Sequence, residues 1–406
     1  MRRAFLWLLF WTPVALAQVP FHLGGPADLS LEGGWRLGLP GLALSVENNA
    51  LTGFDLVNIA ALLRDPKPTD LLLVAARIPA EEGSTALLQG GVRGLAVSFP
   101  LGQDPLTGLA SGAVGLDYRL QALGSVRVSP GLISLAQEGF GPGDVLLLEG
   151  TQAEGLLFHR MALQGALPIL DGLLVVGAEV ALLYGVGGAY LTFQQGSALS
   201  YDNQGLDGQV SLLWERGGHG LGFQVGFGLR TQLPTVGFSV YLRPWGRVWF
   251  RGLERTAVSL TAQDATALEV LECLRDGQVS STVNCAVVSG QGERVFHLPF
   301  ELGIGGFYPI FLGDGPPLYL TARADAQLGG VGPAGWRYSL GASYPLFPGL
   351  NTAVEVSFGG PAGLGAGLTL GWNLEAVEGY LRLVQRGGVL LGAKGAQLEM
   401  GTAYRF

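Results

Sequence analysis

Lysine is almost missing from this chain, occurring only at Lys67 and Lys394. Charged residues of every kind make up 14% of 406 residues, and the formal net charge is −8. No stretch gathers basic side chains, so a nucleic-acid partner is not expected. Histidine appears four times, at His22, His159, His219 and His297, without the spacing of a metal site. Long apolar runs are scarce too. "GLLVVGAEVALLYGVGGAYL", residues 172–191, is about long enough to cross a bilayer as a helix. Its glycines and valines disfavour that helix. Gly185, Gly187 and Gly188 instead predict a hairpin turn between two strands.

Glycine is what the chain has in excess, at 66 residues. No Gly-X-Y period accompanies it, which excludes collagen. A hydrophobic content of 48% excludes intrinsic disorder. At the N-terminus, Arg2 and Arg3 precede a short apolar run and then Ala15-Leu16-Ala17. That order predicts a secretory signal over residues 1–17, cleaved before Gln18, with 18–406 forming one exported domain. No linker-like segment divides it. Cys273 and Cys285, the only cysteines, are then expected to pair in an oxidising compartment. A metal pair is the alternative, but no histidine lies near. A disulfide there closes a short loop and contributes about 3 kcal/mol in the chain-entropy description.

The dominant pattern has period two. "GLGFQVGFGLR" puts Leu221, Phe223, Val225, Phe227 and Leu229 on one face, with Gly222, Gln224, Gly226, Gly228 and Arg230 on the other. The same alternation runs through "PLYLTARADAQL", "GWRYSLGASY", "NTAVEVSFGG" and "GLGAGLTLGWN" to the closing "QLEMGTAYRF". Antiparallel hairpins follow from it. A soluble sandwich also alternates. Three features favour a transmembrane barrel. Trp336, Tyr344, Phe358, Trp372, Tyr404 and Phe406 lie on the apolar face near strand ends, as in interfacial girdles. The opposite faces are rich in Gly, Ser and Thr, unlike a soluble outer face. The alternation persists to Phe406, as expected of a strand that closes a barrel and carries the signal read by barrel-assembly machinery in Tyr404 and Phe406.

The fold class expected is therefore all-β: a transmembrane antiparallel barrel of about 14 strands, in the range of roughly 12 to 18. Short helices are expected near residues 55–77, 130–139 and 263–275, at or inside the lumen. Asp117, Arg119, Arg323, Asp325, Arg337, Glu355 and Arg382 fall on lumen-facing positions, either as a wall of paired charges or as a selectivity lining. Glu293 and His297 share one strand face and read as another lumen pair. No catalytic constellation emerges, "GLGAG" and "GVGG" lack the helix a phosphate loop needs, and neither cofactor nor metal is expected.

Several segments resemble, in order, the outer-membrane barrels of the fatty-acid-transporter (FadL) and PorV type, particularly their uncharacterised relatives. They are "LALSVENNALTGFDL", "LLLVAARIPAEEG", "VRGLAVSFP", "SPGLISLAQEGFGPG", "LQGALPILDGLLVVGAEVALLYGVG", "YSLGASYPLFPGLNTAVEVSFG" and "GTAYRF". The resemblance implies a bacterial outer-membrane location, contact with outer-membrane lipid and a barrel of about 14 strands. No lipid-binding motif of the transporters matches residue by residue. The expected function is a partly plugged channel or transporter for small apolar solutes, and not an enzyme. The rivals are a barrel that anchors or assists secreted proteins, and a structural envelope protein.

Overall fold

A computed structural model describes residues 35–49, 83–103, 110–139, 141–170, 173–231, 236–277, 279–313, 315–328, 335–374, 376–388 and 392–406. The expected signal segment (1–17) and the expected helices at 55–77 lie outside these residues.

The alternation is realised as eighteen hydrogen-bonded segments in one antiparallel sheet, which resolve into fourteen wall strands of a closed barrel. Strand β1 comprises Arg36–Gly38 and Gly41–Asn48, interrupted at Leu39-Pro40 because proline offers no N–H to the ladder. Next come β2 (Ser84–Gln103), β3 (Ala110–Val128), β4 (Gln152–Ile169), β5 (Leu174–Phe193), β6 (Leu206–Thr231) and β7 (Gly237–Ala265). Strand β8 is Val283–Leu298 with Phe300–Ile310, broken at Pro299. The remainder are β9 (Leu318–Leu328), β10 (Gly335–Phe347), β11 (Leu350–Gly359), β12 (Gly365–Leu374), β13 (Val377–Arg386) and β14 (Gly395–Arg405). Closure is made by β14 on β1, with Arg405 opposite Arg36 and Met400 opposite Leu42. The Phe406 N–H also donates to the Trp35 carbonyl at 2.9 Å.

One face of every strand carries large apolar residues that the protein itself leaves bare. Leu182 and Leu221 are each 68% exposed, Met161 57% and Leu163 54%. Only a hydrocarbon solvent makes such a continuous surface stable, and full closure satisfies the backbone within it. No described helix is long and apolar enough to cross a membrane; the crossing is made by strands. Aromatic rings edge the band: Trp35, Tyr404 and Phe406 at the end holding the described termini, and the stacked Trp336, Tyr338 and Phe358 at the other.

The barrel is lopsided. Strands β9 to β14 end near the second aromatic ring, whereas β6, β7 and β8 continue far beyond it and form a protruding wall. The hairpin turn predicted at Gly185–Gly188 is absent, and β5 runs straight through. The glycines serve a bulge instead. The ladder slips between Leu157 and Phe158 on the β4 side and between Phe250 and Leu253 on the β8 side, while at this level β5, β6 and β7 stay in register with one another. Three adjacent strands thus carry one extra residue each. Gly217, Gly218 and Gly252 take φ of +77°, +69° and +67° there, which side-chain-bearing residues resist.

Helix α1 (Pro130–Glu138) is capped by Ser129, and α2 (Ala267–Asp276) by a box between Thr266 and Glu269. Both pack at the far rim, with a two-stranded ribbon of Val145–Leu147 and Ala198–Tyr201. Val270 and Cys273 of α2 join Leu146, Leu199, Val210 and Leu260 in a buried cluster. Val210 and Leu260 lie on the sheet face opposite Glu215 and Arg255, which point inward, so this cluster sits outside the lumen. A disulfide links Cys273 to Cys285, with Cα atoms 5.8 Å apart, and ties α2 to β8. The double Cys→Ser variant is expected to keep heat-modifiable migration, since strand pairing is untouched. It is expected to become more protease-sensitive at α2, the loop constraint contributing about 3 kcal/mol. Proteolysis with mass mapping reads both. The Glu269 carboxyl is held down to about 2, chiefly by the Thr266 backbone N–H, then by the Thr266, Thr282 and Ser280 hydroxyls. A depressed carboxyl stabilises its cap above its ordinary value of 4.5 and loses that contribution as pH falls towards 2. Proteolysis at α2 should therefore rise over that window.

Candidate functional site

The inner wall at mid-height is a belt of paired charges. Arg160, on β4, is 4% exposed and holds three strands together. Its Nη1 donates to Asp117 on β3 at 3.2 Å, its Nε to Gln224 on β6 at 3.0 Å, and its Nη2 to Glu179 on β5. Arg93 and Arg119 also reach Asp117. Farther round, Arg323 donates through Nε to Asp325 at 2.6 Å and through Nη2 to Glu301 at 3.0 Å. The Tyr241 hydroxyl joins both carboxylates. Tyr241 reaches Asp325 across Gly303, where any Cβ would stand 2.2 Å from the phenol ring. Arg382 grips both oxygens of Glu355, at 2.8 and 2.9 Å, across Gly367. A Cβ at Gly367 would meet the Glu355 side chain at 2.7 Å. Lumen glycines are thus the gaps through which side chains bridge alternate strands.

All seven charges singled out in the sequence occupy this inner wall in ion pairs. Arg337 stands beside Asp325 in the ladder, yet its Nη2 pairs with Glu47 of β1, as does Arg386. The sequence reading missed Arg160, Glu179, Glu215 and Glu47. Their strands, "HRMAL" and "GAEVALL" among them, are so apolar that a single charge reads as noise. Glu293 and His297 do not face the lumen. The break at Pro299 changes the parity of β8, so that Arg294 and Phe296 point inward before it and Gly303 and Phe307 after it. Glu293 and His297 face outward, and Glu293 pairs with Arg251 at 3.7 Å.

Above the belt the inner wall turns apolar. Phe158, Phe250 and Phe296 are each 1% exposed and pack with Leu156, Leu183 and Leu298. Phe250 and Phe296 meet edge to face, centroids 5.2 Å apart. The Phe250 ring lies where a Cβ at Gly185 would stand, 2.3 Å from its Cζ. Over this patch Glu215, fully buried, takes Arg255 and Arg294, and Arg294 covers the Tyr190 ring. The arrangement is a packed apolar patch framed by neutralised charges. Hydrophobic constrictions exclude hydrated ions and admit what sheds little water.

Asp202, Asp207 and Asp264 bring carboxylate oxygens within 4.8 Å of one another at the far rim. Asp202 accepts from the Gln204 and Gly205 N–H groups, which lowers its pKa, and Asp207 accepts from the Asp264 N–H. Turn capping accounts for the grouping.

These features define a transmembrane β-barrel whose inner wall carries paired charges and a packed apolar patch. No family profile and no curated protein sequence matches the chain. Among solved structures it is similar to the toluene transporter TbuX of Ralstonia pickettii, at 12% identity and a TM-score of 0.51 over 95% of this chain and 92% of that one. A FadL homologue of Pseudomonas aeruginosa aligns at 11% identity and TM-score 0.49, over 94% and 93% of the two chains. The CymD monoaromatic hydrocarbon channel aligns at 13% and 0.47, over 95% and 92%. At such identities the likeness to TbuX establishes the fold, and at that level agrees with the resemblance read from the sequence.

Proposed function

We propose that this protein is a passive outer-membrane channel for small apolar solutes of about the size of one aromatic ring. The observation that carries the reading is the Phe158–Phe250–Phe296 patch inside an otherwise charge-paired lumen. An aromatic constriction favours solutes that lose nothing on leaving water and gives hydrated ions no foothold. The fold shared with a toluene transporter supports the choice of solute class. The charged belt then acts as a rigid, neutral frame. The test is uptake of radiolabelled toluene by cells that lack their own hydrocarbon channels and produce this protein. Uptake above the empty-vector level is expected, with little single-channel conductance in salt. Uptake equal to vector, from correctly folded protein, would overturn the proposal. Cross-linking of a secreted partner to the far rim would then favour the anchoring role.

Phe250→Ala is expected to widen the constriction. Conductance in planar bilayers should rise above that of the parent protein, and a parent-like trace would place the narrowest point elsewhere.

A further inference from the structure

Four basic side chains stand on the lipid-facing side of the wall. Arg247 on β7 lies directly opposite His297 on β8, and four residues farther along β7 Arg251 lies opposite His219 on β6. Of these, only Arg251 has an acidic partner among the described residues, Glu293. A guanidinium without a carboxylate at the edge of hydrocarbon is unfavourable. An anion accepting from Arg247 and from a ring N–H of His297 would relieve it.

The local construction points to a particular anion. The Arg247 guanidinium sits 4.6 Å from the Trp249 ring centroid and 5.9 Å from that of Phe223. The two rings are 5.7 Å apart and tilted by 36°, and the guanidinium lies against both. Its N–H groups are then presented as a fixed fork, the geometry that binds phosphate. Arg247 stands where the exposed apolar face of β6 and β7, with Leu221, Trp245 and Trp249, gives way within a few residues to exposed ion pairs. That is the depth of lipid headgroups, with exposed Leu221 and Trp245 beside it for acyl chains. Just above, Arg216–Glu254 and Arg251–Glu293 are exposed ion pairs, which mark the aqueous side.

We infer that Arg247 and His297, framed by Phe223 and Trp249, form a binding site for the phosphate of a lipid headgroup on the outer wall of the barrel. The site is separate from the lumen and independent of what the channel carries.

The test uses the full-length protein in nanodiscs of phosphatidylcholine, with or without phosphatidic acid as probe, and native mass spectrometry of lipid retained through detergent exchange. The parent protein should retain phosphatidic acid over phosphatidylcholine. Arg247→Ala/His297→Ala should lose about fivefold or more in that preference, from roughly one favourable charge contact at Arg247. Arg247→Lys should lose part of it, and remains informative if the double variant fails to fold. Arg216→Ala, at the exposed pair above, should retain it. Equal retention by parent and double variant overturns the inference. So does an equal loss in Arg216→Ala, which would mean diffuse attraction. Displacement of the lipid by millimolar inorganic phosphate also overturns it, since the site would then take a free anion.

Discussion

Arg160→Met is expected to destabilise the folded barrel by about 3–5 kcal/mol, the cost of stranding buried charge by removing one partner. Arg160 is the only described cation within hydrogen-bonding reach of Glu179, whose other contact is Gln164. Asp117 keeps Arg93 and Arg119, so Glu179 should carry most of the loss. The diagnostic comparison is Arg160→Met/Glu179→Leu, which removes the stranded carboxylate along with its partner. It should recover much of the stability, because apolar replacement of a whole buried pair is often neutral or better. Urea unfolding of the protein reconstituted in thin bilayers, followed by tryptophan fluorescence, measures all three. If the double variant is no more stable than the single one, the belt stabilises through packing and the ion-pair account fails.

Disrupting the closing strand should have a still larger effect: loss of the assembled barrel altogether. Strand β14 pairs with β13 on one side and β1 on the other. The Tyr404 and Phe406 rings stack 6.3 Å apart at the aromatic edge. Deleting residues 404–406, or Phe406→Asp, removes the contacts of the last rung and puts a charge where the interface wants a ring. Without closure two strand edges lie open in hydrocarbon, each unpaired backbone group costing several kcal/mol. Membrane fractions run unheated on a gel should lack the fast-migrating folded species. Normal abundance of folded Phe406→Asp protein would show that closure tolerates an altered last rung and that assembly is signalled elsewhere.

The strands were legible because lipid on one side and lumen on the other enforce period two over ten or more residues at a stretch. Arg323 and Asp325, two positions apart in "RADA", had to share a face. What local reading missed depends on counting across strands. One extra residue at Gly252 reverses which side every later residue of β7 faces, and the sequence gives no signal there beyond a glycine among many. Pro299 does the same to β8, so that Glu293 and His297 face outward although Glu301, of the same odd parity, faces the lumen. Gly185–Gly188 was read as a turn because glycine clusters serve turns and bulges alike; only the neighbouring strands decide between them. Glu47 and Arg337 are 290 positions apart in the chain, and no local pattern announces their meeting.

The pairing of charge around the inner wall also bears on the cell as a whole. With arginine and carboxylate set against one another on β3, β4, β5, β9, β11 and β13, the interior offers no sustained field to draw either sign of ion along the axis. A cell could then carry many copies without short-circuiting its envelope. Hydrophilic antibiotics and dyes should enter no faster in producing cells than in their parents, and the outer permeability barrier would stay intact.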